Sequence, residues 1–271
     1  MKTSRNLLAL AAPLGSPQGM SLPAFPAALP LILDRDGAQH FESAASALLS
    51  PLSELFAVHA PGAAGTRLFD SPRLRDLLAP GSPIATLAER LLGSAARPVR
   101  AILFDKSAMA NWGLGWHQDR TIAVRSRADC EGFGPWSAKR GVHHVAPPWP
   151  ILSAMRTLRV HLDPVSSANA PLLIAPGSHL LGVVSEPEID GVVARLGTYI
   201  CLASAGDVWA YATPILHASA PSESRAGRRV LQLDYAGTDL PPPLDWYGLE
   251  GPDPASPINH QRRRAAPTGP P

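Results

Sequence analysis

Residues 157–174, TLRVHLDPVSSANAPLLI, contain two short strand-like runs, 157–162 and 172–174, joined by a connection rich in Pro, Ser and Asn. Apolar and β-branched residues favour strands, whereas Pro, Asn and Ser favour turns. Similar runs bounded by turn residues occur on both sides of this stretch, at 99–104, 120–124, 198–202, 207–211 and 230–235. Many short strands separated by turns are typical of an antiparallel sandwich or barrel.

The chain preceding these strands has a helical pattern over residues 35–95. Apolar residues recur with helical spacing from Phe41 to Leu49 before Pro51, and a second amphipathic run ends at Gly93. We therefore expect one domain over 35–240, helical in 35–95 and built from strands in 96–240. Residues 1–34 are expected to form a partly disordered N-terminal extension, and 241–271 a Pro- and Arg-rich tail that is poorly ordered.

Composition excludes several classes of function. The 271 residues carry 24 Lys and Arg against 22 Asp and Glu, so no strong net charge attracts nucleic acid or an anionic membrane. No apolar run approaches the length of a membrane-spanning helix. The two cysteines, Cys130 and Cys201, are far apart in the sequence, which favours a reducing compartment. We expect a cytoplasmic protein that acts on a small molecule, whereas its oligomeric state cannot be read from these features.

A potential metal site centres on His117 and Asp119, which lie two residues apart. Side chains with this spacing point to the same face of a strand, so both could contact one metal ion while Gln118 faces away. His217, which follows the strand-like run at 207–211, is the candidate third ligand. Two histidines and one carboxylate form the ligand set of non-haem Fe(II) oxygenases, although zinc also accepts these donors.

An arginine at a suitable separation along the sequence favours the interpretation as an iron site. Arg228 lies eleven residues after His217, at the head of the run 230–235. A guanidinium group binds a carboxylate through two parallel hydrogen bonds. Arg228 could therefore hold the far carboxylate of a dicarboxylate cosubstrate whose keto-acid end chelates the metal. Ser219 could donate a hydrogen bond to the same carboxylate.

Three passages, in this order, resemble the phytanoyl-CoA dioxygenase family of Fe(II)- and 2-oxoglutarate-dependent oxygenases. They are WHQD at 116–119, NAPL at 169–172 followed by PGSH at 176–179, and GDV at 206–208 followed by HAS at 217–219 and RR at 228–229. The resemblance spans roughly 98–238. It implies a mainly β fold with flanking helices around a double-stranded β-helix, which is a jelly-roll, cupin-like core.

The same resemblance implies roles for individual residues. His117, Asp119 and His217 match the iron ligands, and Arg228 and Ser219 match the contacts to the 2-oxoglutarate carboxylate. The implied activity is oxidation with O2 of a C–H bond of a small-molecule substrate, with release of succinate and CO2. The acidic ligand Asp119 is intact, which favours hydroxylation over halogenation.

Three further features of the sequence bear on the site. The family often has Asn-Gly where this chain has Asn169-Ala170, and we expect this change to alter a turn without touching a ligand. Arg159 and Lys106 are candidate contacts to substrate or cosubstrate, and the long segment 132–150 is a candidate lid.

Two other functions compete with the oxygenase. A zinc-dependent hydrolase on a cupin-like barrel would use the same three ligands but gives no role to Arg228. A non-catalytic barrel would bind 2-oxoglutarate without oxidising any substrate.

Overall fold

The computed structural model describes residues 30–59, 65–106, 111–139, 141–223 and 227–250. Within these residues there are six α-helices and three 3-10 helices. The α-helices are α1 (Leu33–Asp36), α2 (Leu49–His59), α3 (Pro72–Leu77), α4 (Pro83–Leu92), α5 (Trp149–Ala154) and α6 (Ile189–Leu196). The 3-10 helices are Ser46–Leu48, Ser178–Leu180 and Glu186–Glu188.

Thirteen strands within the same residues form three antiparallel sheets. They are β1 (Ala38–Phe41), β2 (Thr66–Leu68), β3 (Arg97–Lys106), β4 (Leu114–His117), β5 (Ile122–Val124), β6 (Trp136–Lys139), β7 (Val142–Val145), β8 (Arg156–His161), β9 (Leu172–Ile174), β10 (Tyr199–Cys201), β11 (Val208–Ala212), β12 (His217–Ser219) and β13 (Arg228–Ala236). The major sheet has the order β1-β11-β8-β13-β3-β2, the minor sheet β10-β9-β12-β4, and a third sheet β5-β7-β6.

The major and minor sheets pack face to face, as in a jelly roll. Trp209 and Tyr211 of the major sheet share one buried cluster with Leu172, Ile174 and other residues of the minor sheet. The opposite face of the major sheet packs against α2, α3 and α4 through a second cluster. The predicted fold class, mainly β with flanking helices around a double-stranded β-helix, is confirmed.

Alternation along the major sheet determines what faces the space between the sheets. Leu158 and Val160 of β8 belong to the cluster beneath the helices. Their neighbours Arg159 and His161 are also buried, and therefore point to the other face, toward the minor sheet. The interior of the barrel thus contains several polar side chains.

The helical pattern predicted for 35–95 is only partly correct. Residues 38–41 form β1, which pairs with β11, and only three residues, Ser46–Leu48, form a short 3-10 turn before α2. Pro51 does not end a helix, because it lies in the first turn of α2, where its missing N–H needs no partner. Three helices, α2 to α4, do follow in this region, and α4 ends at Gly93 as expected.

The ends of the chain also differ from the expectation. Helix α1 begins at Leu33, inside the predicted extension, whose residues 1–29 lie outside the described residues. Of the tail predicted from 241 onward, Leu244, Trp246, Tyr247 and Leu249 are buried, the first two of them in the cluster that carries the third sheet. The expectation of poor order is therefore wrong for 241–250, and 251–271 lie outside the described residues.

Candidate active site

Two strands of the minor sheet bring the three candidate metal ligands together. His117 is the last residue of β4, His217 is the first residue of β12, and the two are paired directly across the strands. The potential ligand atoms of His117, Asp119 and His217 all lie within 4.8 Å of one another. The geometry required for one metal ion to contact all three residues is therefore present.

Asp119 reaches this position in a different way from the one we predicted. Strand β4 ends at His117, so Asp119 lies in the following loop rather than on the same face of a strand. Its carboxylate accepts a hydrogen bond from Nη2 of Arg100 at 2.8 Å. Gln118 between the two ligands points away, as expected, and its amide nitrogen donates to the carbonyls of Gly182 at 3.0 Å and Pro214 at 2.9 Å.

The two histidines present the same ring nitrogen to the site. Nδ1 of His117 lies 2.8 Å from the carbonyl of Gly115, and Nδ1 of His217 lies 2.9 Å from the carbonyl of Ile215. A carbonyl can only accept, so each Nδ1 carries the proton and each Nε2 has a free lone pair. Burial lowers the pKa of His217 to about 4, which keeps this ring in the neutral, metal-binding form.

Positive charge holds the carboxylate of Asp119, the third candidate ligand, in its ionised form. Burial opposes ionisation of Asp119, but the charge of Arg100 outweighs this effect, with help at low pH from the protonated rings of His217 and His117, and lowers its pKa to about 2. Arg100 in turn donates from Nε to Asp234 on β13, and Thr157 donates to the other oxygen of Asp234 at 3.0 Å. Arg100 occupies one oxygen of Asp119, which leaves the second oxygen for a metal.

A cavity of about 120 Å³ extends from the three ligands between the two sheets. Besides these ligands, basic side chains from β3, β8 and β13 line it: Arg100, Lys106, Arg159 and Arg228. Ser219 lines it as well. The structure therefore places every residue of the predicted site around a single cavity.

Arg228 and Ser219 meet at one backbone carbonyl. Nη1 of Arg228, a buried residue, donates to the carbonyl of Ala170, and Oγ of Ser219 donates to the same carbonyl at 3.2 Å. Nζ of Lys106 donates to Oγ of Ser219 at 3.1 Å and to the carbonyl of Ala220 at 2.8 Å. These contacts place Lys106, Ser219 and Arg228 at the same part of the cavity wall.

The departure at Ala170 is therefore closer to the site than we expected. Ala170 has a φ of 49°, in the left-handed region that favours glycine. Its carbonyl is the acceptor for Arg228 and Ser219. The altered turn contacts none of the three candidate metal ligands, as expected, but its carbonyl supports both candidate cosubstrate contacts.

Arg159 reaches the cavity from the neighbouring strand. Its Nη1 donates to Oε1 of Gln232 at 2.9 Å, and its guanidinium carbon lies 5.5 Å from the ring centre of Phe104. Phe104 and Gln232 line the cavity too. Sequence reasoning did not identify Gln232, nor the Arg100–Asp234 pair, although the period-two alternation along β3 and β13 places all three residues on the inner face.

The segment 132–150 is not seen as a lid over the cavity. It supplies β6, β7 and the start of α5, and no described residue of the segment lines the cavity. His144 of β7 is buried, and its Nε2 accepts a hydrogen bond from Nη1 of Arg67 at 3.1 Å. Its neighbour in sequence, Val145, belongs to the cluster of the third sheet. The segment extends the core instead of covering the site.

The fold and this ligand set define a class of protein, the double-stranded β-helix proteins with a two-histidine, one-carboxylate metal site. The model of the family described as phytanoyl-CoA dioxygenase (PhyH) matches residues 54–230. The chain belongs to the phytanoyl-CoA dioxygenase family, which confirms the resemblance found in the sequence.

Solved structures with the same fold are distant in sequence. A crystal structure of EctD from S. alaskensis with 2-oxoglutarate and 5-hydroxyectoine is 19% identical, with a TM-score of 0.57 over 82% of this chain and 79% of the other. The epimerase SnoN from nogalamycin biosynthesis, in complex with Fe3+, alpha ketoglutarate and nogalamycin RO, is 21% identical, with a TM-score of 0.53 over 75% and 80%. HygX from Streptomyces hygroscopicus, with nickel, 2-oxoglutarate and hygromycin B bound, is 13% identical, with a TM-score of 0.51 over 76% and 85%.

The search of curated proteins returned no match. In the part of the chain that the structure describes, no helix combines the length and apolar character needed to cross a membrane.

Proposed function

We propose that this chain is an Fe(II)- and 2-oxoglutarate-dependent dioxygenase that hydroxylates a C–H bond of a small-molecule substrate. One observation carries the proposal. A single cavity has His117, Asp119 and His217 converging at one part of its wall, and the buried Arg228 lies at another part. A metal-binding keto acid with a second carboxylate is complementary to both features. The solved structures of EctD, SnoN and HygX, which contain 2-oxoglutarate, support this choice of cosubstrate.

The donor set fits a ferrous ion. Nε2 of His117, Nε2 of His217 and one oxygen of Asp119 would hold the ion, because two imidazoles and one carboxylate form the donor set of non-haem Fe(II) oxygenases. When bound, iron and 2-oxoglutarate supply the oxidation of the C–H bond by O2, with release of succinate and CO2. Arg228 and Ser219 would hold the distal carboxylate, and Lys106 contributes positive charge beside Ser219.

The other side chains of the site orient these groups. The carbonyls of Gly115 and Ile215 fix the ring tautomers, and Arg100 fixes the rotation of Asp119. Because Lys106, Arg159 and Arg228 in the cavity wall are buried, their charge interactions with the cosubstrate would be stronger than in water.

We also propose a cytoplasmic location and no nucleic-acid or membrane partner. Support comes from the two cysteines, which are both free thiols, Cys201 being buried. The nearly balanced charge of the chain gives no attraction for polyanions.

The test is O2-dependent release of succinate from 2-oxoglutarate in the presence of Fe(II), across a panel of small metabolites. We expect at least one substrate to stimulate succinate formation and to gain one oxygen atom by mass spectrometry. Zinc-dependent turnover without O2 consumption would instead support a hydrolase. Binding of 2-oxoglutarate without turnover on any substrate would support a non-catalytic barrel.

A further inference from the structure

The cavity contains more positive charge than one cosubstrate carboxylate requires. Lys106, Arg159 and Arg228 all line it, and all three are buried. None of the ion pairs formed by the described residues includes any of the three. Buried charges without partners are costly, so this arrangement favours a bound anion.

Hydrogen-bonding capacity is also unused at two guanidinium groups. Nε of Arg159 and Nε of Arg228 are buried and have no partner among the described residues. The two arginines lie on adjacent, paired strands and on the face that points between the sheets. Among the described residues, Arg159 donates to Gln232 and also lies over the ring of Phe104, and Arg228 donates to the carbonyl of Ala170.

The contact to Gln232 shows that Arg159 is oriented rather than loosely placed. An amide oxygen accepts a hydrogen bond but carries no charge, so it positions the guanidinium without neutralising it. Oε1 of Gln232 is also 3.4 Å from the hydroxyl of Tyr211, which is itself buried. The positive charge of Arg159 is therefore held in the cavity wall without a carboxylate partner among the described residues.

We propose that Arg159 and Arg228 together bind the distal carboxylate of the cosubstrate, and that Arg159 is a specificity-determining residue for dicarboxylic over monocarboxylic 2-oxo acids. This inference rests on the proposed cosubstrate and extends it to a second arginine from β8. A carboxylate has enough acceptor positions for both guanidinium groups. Its single negative charge would also separate two like charges that otherwise repel each other.

The test compares 2-oxoglutarate with 2-oxopentanoate, which has the same carbon chain but lacks the distal carboxylate. Binding to Ni(II)-loaded protein is measured by calorimetry, which does not require turnover. We expect Arg159→Gln to weaken 2-oxoglutarate binding about 10- to 100-fold, as for the loss of a charged hydrogen bond. Its affinity for 2-oxopentanoate should stay within about twofold of the wild type.

The matched control is Arg229→Gln. Arg229 is adjacent to Arg228 on β13 but pairs with Asp163 through Nε at 2.9 Å and Nη2 at 2.7 Å. This variant removes a guanidinium from the opposite face of the same strand, so both affinities should remain those of the wild type. Wild-type affinity for 2-oxoglutarate in Arg159→Gln, or an equal loss for both acids, would overturn the proposal.

Two further measurements apply if Arg159→Gln does not fold. Arg159→Lys keeps the charge but loses the planar fork, and should also weaken only 2-oxoglutarate binding. In the wild type, 2-oxoglutarate should bind more than about 100-fold more tightly than 2-oxopentanoate, whereas a ratio below about tenfold would overturn the proposal. A protein that meets these expectations but oxidises no substrate would refute the dioxygenase activity and leave the role of Arg159 intact.

Discussion

At the scale of single residues, the backbone selects the chemical form of both candidate histidines. His117 and His217 each bond through Nδ1 to the carbonyl two residues earlier. In each case the carbonyl belongs to the segment that leads into the histidine, so ring orientation is set locally. The pair of Nε2 atoms is then preorganised, which lowers the cost of binding a metal.

Replacing one of these rings tests the metal site directly. His117→Ala removes one of three ligands, so we expect Fe(II) affinity to fall by at least about 100-fold. Substrate-dependent succinate formation should be lost as well. Metal content after dialysis, measured by mass spectrometry, checks the first effect. His179→Ala is the control, because His179 lies near the carbonyl of Asp34 at 3.3 Å and does not line the cavity. Retention of stoichiometric iron in His117→Ala would remove this residue from the ligand set.

We propose that Arg100 positions Asp119, the candidate carboxylate ligand. Arg100 forms ion pairs with both Asp119 and the buried Asp234. Its loss would free the carboxylate of Asp119 to rotate and would leave Asp234 without an ion-pair partner. We expect Arg100→Gln to weaken metal binding about 10- to 100-fold. Breaking the buried pair should also cost about 3–5 kcal/mol of unfolding free energy.

Two measurements separate these effects. The absorption spectrum of the Co(II)-loaded protein reports ligand geometry, and urea unfolding reports stability. Asp234→Asn should reproduce much of the stability loss while keeping a spectrum nearer to that of the wild type, because Arg100 still contacts Asp119. An unchanged Co(II) spectrum and affinity in Arg100→Gln would show that Asp119 needs no support from this arginine.

At the scale of elements, the turn after α1 packs closely against the 3-10 helix Ser178–Leu180. Gly37 has a φ of 78°, and a Cβ atom there would lie 2.4 Å from Nδ1 of His179 in the 3-10 helix Ser178–Leu180. The motif PGSH thus serves to pack a loop against α1. The partner of His179 in this contact, Gly37, is distant in the chain, so the sequence alone does not identify it.

We expect Gly37→Ala to destabilise the protein more than Gly81→Ala. Gly81 has a φ of 82°, and nothing lies within 4 Å of its Cβ position, so this control carries only the backbone cost of about 1–2 kcal/mol. Gly37→Ala adds the displacement of His179. Unfolding free energies in urea measure both effects, and equal losses for the two variants would show that the contact with His179 is energetically unimportant.

The third sheet should make the protein sensitive to acid. Burial, with the positive charge of Arg67, lowers the pKa of His144 to about 4. The unfolded state therefore binds more protons than the folded state between about pH 6.5 and pH 4. The stabilisation is fully present above pH 6.5 and is lost as the pH falls through this window.

Removing the titrating group should reduce this loss. In metal-free protein, His144→Gln should have a smaller fall in unfolding free energy between pH 7 and pH 5, by up to about 1.4 kcal/mol per pH unit. At pH 7 we expect His144→Gln to have a lower unfolding free energy than the wild type, because the contact with Arg67 changes. An identical pH slope in wild type and variant would show that His144 does not contribute to acid sensitivity.

At the scale of the whole molecule, the sequence predicts individual strands better than it predicts contacts between distant segments. β3, β8 and β13 could be predicted because alternation along each strand is a local property. The Arg100–Asp119–Asp234 network could not, since it joins a strand, a loop and another strand. The sequence predicts a helix at β1 because the apolar residues from Phe41 onward have helical spacing. In the structure, these residues span the end of β1 and a short 3-10 turn. The buried part of the tail, with Leu244 and Trp246, was hidden by its Pro-rich composition.

For the candidate site, too, local patterns could be predicted from the sequence and long-range backbone geometry could not. His117, Asp119, His217 and Arg228 could be found from spacing and from the family resemblance, and the fold does bring them to one cavity. The position of Asp119 beyond the end of β4, and the role of the Ala170 carbonyl, depend on backbone geometry that spacing does not report. The uncompensated charge of the cavity depends on all the strands that face it, and so only the assembled barrel shows it.

The central claim is that His117, Asp119 and His217 hold one ferrous ion to which 2-oxoglutarate binds. The most direct measurement is anaerobic addition of Fe(II) and 2-oxoglutarate to the wild-type protein, monitored by visible absorption. The account predicts a metal-to-ligand charge-transfer band that saturates at one iron per chain and is absent in His217→Ala. A folded wild-type protein that binds Fe(II) but develops no such band at saturating 2-oxoglutarate would contradict it.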